Sequence, residues 1–221
     1  MNLQIHTTKI RLLSLAAAVC LGTATSGQAL ELNKGDHVVL IGNALAERMQ
    51  HHGWLESYIQ ATMADKELAI RNHGFGGDKV NNRPRNNGFP SADTYLEISK
   101  ADVILAFWGY NESFDNSPDA YRADLTKWID ETNGKKYNDK GAPTIVLFSP
   151  IAHENLGQAN LPDGSANNER LAKYAEVTRQ VANEKGVEFV DLFDLSQDLY
   201  ERSKLPLTIN GIHLTSKGNN Q

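Results

Sequence analysis

The sequence predicts an α/β domain, a three-layer, doubly wound sandwich built on a five-stranded parallel sheet. Two observations carry this. Short apolar runs rich in β-formers alternate along the chain with stretches of helical periodicity, the pattern of right-handed βαβ crossovers. The two longest connections, 73–90 and 150–167, each follow a predicted strand, which puts them at the carboxyl ends of the sheet, where open α/β folds collect their ligands.

The elements follow in order. His37–Ile41 is the first strand, and Leu45–Ala64 an amphipathic helix with Leu45, Met49, Leu55, Ile59 and Met63 on its inner face. Strands follow at Leu68–Arg71, Asp102–Trp108, Thr144–Ser149 and Glu188–Asp191. Helices fall at Ala92–Ser99, Pro118–Thr132, Asn168–Lys185 and Leu195–Lys204, with Pro118 suited to a first helical turn and Gly186 to a stop.

Residues 1–29 stand apart from this pattern. Lys9 and Arg11 precede an apolar run, Leu12–Leu21, too short to span a bilayer, and Gly27-Gln28-Ala29 supplies small residues at a cleavage site. We read 1–29 as a secretory signal of bacterial type and 30–221 as one domain, secreted or periplasmic. The sole cysteine, Cys20, lies in the signal, so the mature chain has neither a disulfide nor a thiolate for catalysis. A net charge of −5 with interspersed signs offers no basic face for nucleic acid, and no later apolar run could cross a membrane.

Four segments fall on the predicted strand ends. They are Gly42-Asn43-Ala44, Asn72-His73-Gly74-Phe75-Gly76-Gly77-Asp78, Gly109-Tyr110-Asn111-Glu112 and, near the end, Asn210-Gly211-Ile212-His213-Leu214. Across nearly the whole mature chain this order resembles the SGNH, or GDSL-like, hydrolase superfamily, whose blocks read Gly-Asp-Ser, Asn-x-Gly-x-x-Gly, Gly-x-Asn-Asp and Asp-x-x-His. The resemblance implies a flavodoxin-like α/β/α domain that cleaves esters of lipids, sugars or other small acyl donors.

Carried over position by position, the resemblance makes Gly77 an oxyanion-hole N–H, Asn111 the amide that completes the hole and His213 the general base. It places Ala44 where the serine nucleophile stands, Asn43 where an aspartate precedes it, Asn210 where an acid orients the histidine and Glu112 where an aspartate is usual. The Ala44 N–H survives the loss of a hydroxyl, so an oxyanion hole can outlive the nucleophile. No acyl-enzyme can form at an alanine, however, because attack needs an activated O–H beside the base. An amide at 210 can orient His213 but cannot stabilise its charged form; the equivalent change in serine proteases costs roughly 10⁴ in kcat.

Other polar residues crowd the same edge. Glu47 and Arg48, one turn into the first helix, fit either a surface pair or a ligand contact. Arg83 and Arg85 could clamp an anionic group through paired N–H donors, or simply be solvated. Asp78 and Glu154 complete the expected substrate contacts, and Ser149–Asn155 is the best source of a replacement nucleophile or base. His51 and His52 are adjacent, so they cannot form an i,i+4 metal pair, and no metal or cofactor is expected. Only eight residues follow His213, too few for the helix that usually closes the sheet, so the expectation is an incomplete last layer or a piece of a longer parent with further domains. Three functional classes stay open: an ester hydrolase that activates water directly or uses an unusual nucleophile, a non-catalytic carbohydrate- or ligand-binding module, and proton abstraction next to a carbonyl, with the same hole holding an enolate; in each the expected partner is a small molecule or carbohydrate.

Overall fold

The computed structural model describes residues 30–84 and 88–221, so the expected signal segment and Arg85 lie outside the described residues. Five parallel strands form one sheet: β1 (His37–Gly42), β2 (Ala69–Asn72), β3 (Val103–Phe107), β4 (Thr144–Phe148) and β5 (Glu188–Val190). Their order is β2-β1-β3-β4-β5, so the chain starts in the interior of the sheet, builds one edge, crosses back and completes the other. This is the doubly wound arrangement, with its switch point between β1 and β3.

Alternation along the strands sorts the core into two layers, because successive side chains point to opposite faces. Val39, Ile41, Ile104, Ala106, Ile145 and Leu147 face α4 (Pro118–Asn133) and α5 (Ser165–Lys185), meeting Leu125, Trp128, Ile129, Tyr174 and Val181. Val38, Leu40, Val103, Leu105 and Val146 face the other way, against Leu45, Leu55, Ile59 and Leu192. Those four come from α1 (Ala44–Met49), α2 (Trp54–Thr62) and the start of α6 (Leu192–Arg202). The remaining helices are α3 (Ala92–Ile98) and the short α7 (Ser216–Asn219), a single turn after the histidine block.

Several elements depart from the sequence expectation, among them α6, which starts three residues before the expected Leu195. The helix expected over Leu45–Ala64 is two helices, because the His51-His52-Gly53 turn breaks it and Gly53 adopts φ +62°, a conformation that favours glycine. Helix α5 begins three residues early, at Ser165, after a left-handed Gly164. An unforeseen 3₁₀ turn, Glu112–Asp115, sits behind the third motif. Elsewhere the local chemistry is as the elements require: Ser91 caps α3 through Thr94 N–H at 3.1 Å, and Asp191 caps α6 through Phe193 N–H at 2.9 Å.

Candidate functional site

The carboxyl ends of β1, β2 and β3 bring the first three motifs together by backbone contact. At Gly42, φ is +135° and a Cβ would lie 2.3 Å from the Phe107 carbonyl oxygen, so only glycine lets β1 leave the sheet beside β3. Asn43 is buried and caps α1, its side-chain oxygen accepting from Leu45 N–H at 3.1 Å. Ala44 opens α1. Among the described residues its N–H donates no hydrogen bond, as befits the first turn of a helix.

The second motif lies directly on α1. Asn72 donates its amide to Ala46 O at 2.6 Å and accepts from Gly74 N–H at 2.9 Å, while Phe75 N–H reaches Gly42 O at 2.8 Å. A Cβ at Gly74 would come within 2.5 Å of Glu47 N, so a side chain here would lift the loop from the helix. Gly77 turns at φ +90°, is exposed, and among the described residues its N–H donates no hydrogen bond. Beyond it, Asp78 is buried, and its carbonyl accepts from the Asn111 side-chain amide at 2.9 Å. That bond ties the second motif to the third and uses one of two amide protons.

Glu112, next in the chain, faces the protein. Its buried carboxylate accepts from Val80 N–H at 2.8 Å and Gly109 N–H at 2.9 Å. Burial raises its pKa against the pull of those hydrogen bonds and of Lys79.

The segment carrying His213 is neither helix nor strand, and Glu154 suspends it. The buried Glu154 carboxylate accepts from Leu207 N–H (3.0 Å), Thr208 N–H (2.7 Å) and the Thr208 hydroxyl (2.7 Å), and Glu154 N–H donates to Gly211 O at 2.8 Å. His153 backs the same segment. A Cβ at Gly211, where φ is +90°, would lie 2.2 Å from His153 Nε2, which is buried and has no partner among the described residues. Asn168 holds the His153 backbone at both its N–H and its carbonyl, and Asn167 donates to Nδ1 at 2.8 Å.

So held, His213 lines a small cavity of about 30 Å³ together with Ala44, Tyr110 and Ile212. Asn210 Oδ1 accepts from His213 N–H at 3.0 Å and lies 3.2 Å from Nδ1. Burial, then the positive charge of Arg48, lower the His213 pKa, and Glu47 opposes them. Ser149 also touches this cavity but is fully buried, its hydroxyl accepting from Leu192 N–H (2.8 Å) and Phe193 N–H (2.9 Å). It is a helix cap rather than an available nucleophile.

Arg83 lies elsewhere. Its guanidinium covers the Trp108 ring at 5.1 Å, donates to Val80 O at 2.8 Å and lines a wider groove of about 790 Å³ with Phe89, Asp93 and Trp128. Glu47 is half-buried, 3.8 Å from His51 Nε2 rather than paired with Arg48. Among the described residues no group of three or more His, Cys, Asp or Glu side chains is placed to hold a metal ion, and no helix is long and apolar enough to cross a membrane.

Residues 40–221 match the GDSL-like lipase/acylhydrolase family. No curated protein matches the chain. Among solved structures, an acetylxylan esterase from Geobacillus stearothermophilus superimposes with a TM-score of 0.61 at 18% identity, covering 86% of this chain and 91% of its own. Solved catalytic mutants of that esterase replace a serine, an aspartate or a histidine, the last two three positions apart. An α/β hydrolase from the metagenome of Lake Arreo, Spain, gives 0.62 at 17% identity over 85% of this chain and 91% of that one. A gut microbial diltiazem-metabolizing enzyme gives 0.63 at 18% over 86% of this chain and 45% of its own. At these identities the likeness is one of fold.

Proposed function

Because the chain belongs to the GDSL-like lipase/acylhydrolase family, we propose that it is a secreted domain, residues 30–221 behind a signal at 1–29, that hydrolyses esters of a small acyl or carbohydrate substrate. The observation that supports this best is the shared cavity of Ala44 and His213, where the Ala44 N–H has no acceptor among the described residues. In this reading the ester carbonyl oxygen takes hydrogen bonds from Ala44 N–H, Gly77 N–H and the second Asn111 amide proton. One such donor contributes about 3 kcal/mol when charge develops on the oxygen. With no hydroxyl at position 44, the nucleophile is water. His213 takes one proton from it as the oxygen adds to the carbonyl carbon, and returns that proton to the departing alkoxide, giving a carboxylic acid and an alcohol. Asn210 orients His213. Glu47 and Arg85 remain candidate substrate contacts, whereas Asn43, Asp78, Glu112 and Glu154 support the reaction by shaping the loops.

The alanine at 44 and the amide at 210 favour a second reading, a binding module that keeps the pocket for a sugar or acyl ligand without turnover. A screen of the purified domain against acetylated sugars and short-chain aryl esters separates the two. Turnover abolished by His213→Ala supports the hydrolase, binding without turnover supports the module, and turnover indifferent to His213→Ala removes His213 from the mechanism.

A further inference from the structure

Arg48 carries a feature that the hydrolase reading leaves unused. Its Nε is buried and has no hydrogen-bond partner among the described residues, and the neighbouring carboxylate of Glu47 leans to His51 instead. Arg48 follows Ala44 by four positions in α1, so the two occupy one face of the helix a turn apart. Helical side chains lean toward the N-terminus, so Arg48 leans toward the turn that holds Ala44, which lines one cavity with His213. The charge of Arg48 acts on the His213 imidazole. A buried N–H without an acceptor costs stability, and an arginine presents its donors in a planar fork that fits a carboxylate.

We propose that Arg48 is a carboxylate-binding residue of this cleft, so that the site takes an acid group lying beside the scissile position. The proposal deepens the hydrolase reading and rests on its placement of the cleft. Such a carboxylate has two sources: the acid released by ester cleavage, or an acid group on the carbohydrate part of the substrate. Glu47 tempers the local field, since its charge acts on His213 in the opposite sense to that of Arg48. Binding is therefore set by the geometry of the fork rather than by a broad positive patch.

The test follows the His213 imidazole signal by NMR at constant ionic strength while acetate, D-glucuronate, acetamide and glucose are titrated. Both carboxylates should shift it saturably and the two neutral compounds should not. Arg48→Met should weaken carboxylate binding at least about tenfold, the loss expected for one charge-assisted hydrogen bond, and Arg48→Lys should weaken it less. Acetate bound more tightly than glucuronate assigns the subsite to the released acid; the reverse assigns it to an acidic sugar. Equal responses to charged and neutral compounds overturn the proposal, as does undiminished carboxylate binding in the Met variant. If that variant does not fold, the Lys variant and the neutral compounds decide. Carboxylate binding without ester turnover defeats the hydrolase reading alone, and turnover without carboxylate binding defeats this proposal alone.

Discussion

One oxygen of Asn210 serves the backbone and the imidazole of His213 together. Oδ1 accepts from His213 N–H at 3.0 Å and from Ile212 N–H at 3.3 Å, and it stands 3.2 Å from Nδ1. Two backbone donors identify that atom as the amide oxygen, so Nδ1 carries the proton and Nε2 the lone pair. The histidine is thereby set in the tautomer of a general base. Its partner is neutral, so the charged form gains orientation without ionic stabilisation.

Restoring the two missing groups should restore serine chemistry. Ala44→Ser alone should give weak esterase activity above the parent, and Asn210→Asp alone almost none. The double variant should exceed the product of the two, because members of a catalytic unit act non-additively. Aryl-ester turnover and covalent labelling by an organophosphonate measure this. A folded double variant with neither would show that position 44 is not a nucleophile elbow.

The pH dependence of the parent activity has a fixed sign. Burial and Arg48 hold the His213 imidazole below its ordinary value of about 6.5, so the base form persists into mildly acidic solution. The acid limb of kcat/KM should have its midpoint below about pH 6.5. Arg48→Met removes a depressing charge and should move that limb to higher pH. An unmoved limb would mean that another group sets it.

Glu154→Gln should loosen the segment that carries His213. The amide keeps one oxygen and turns an NH₂ toward backbone donors now held by the carboxylate. Breaking charge-assisted hydrogen bonds in a buried site should cost about 2–4 kcal/mol in denaturant unfolding. Amide exchange should quicken first at 207–215, and faster exchange spread evenly over the sheet would contradict a local role.

Gly211→Ala should destabilise the fold by about 1–3 kcal/mol, from overpacking against His153 together with an unfavourable φ. His153→Ala opens the space, so in the double variant the cost should fall to the backbone part, roughly 1 kcal/mol. Thermal unfolding of the four proteins closes the cycle. Strict additivity would show that the contact carries none of the cost.

Much of the fold was legible because each strand is a short apolar run flanked by turn residues. All five appear within a residue or two of the expected bounds. The break at Gly53 was hidden because apolar periodicity continues across it from Met49 to Leu55, and periodicity records which face is buried, not whether the backbone is continuous. The motif residues were legible by order along the chain. The tasks of Glu112 and Glu154 were not, since a carboxylate in a loop looks the same in sequence whether it meets solvent, a ligand or backbone N–H groups. Arg48 was obscured in a similar way: its neighbour Glu47 suggests a pair, and only the folded chain turns that carboxylate toward His51.

The sheet order sets a timetable for biosynthesis. Strand β1, HVVLIG, is made first yet ends with a neighbour on each edge, and the second of these, β3, begins only at Val103, some 61 residues after Gly42. At a ribosomal pace of about 5–20 residues per second, this six-residue apolar segment waits roughly 3–12 s with at least one edge unpaired. Throughout that interval it has the character of an adhesive strand. The nascent chain is therefore most exposed to aggregation while residues 43–107 are being made, long before the histidine loop exists.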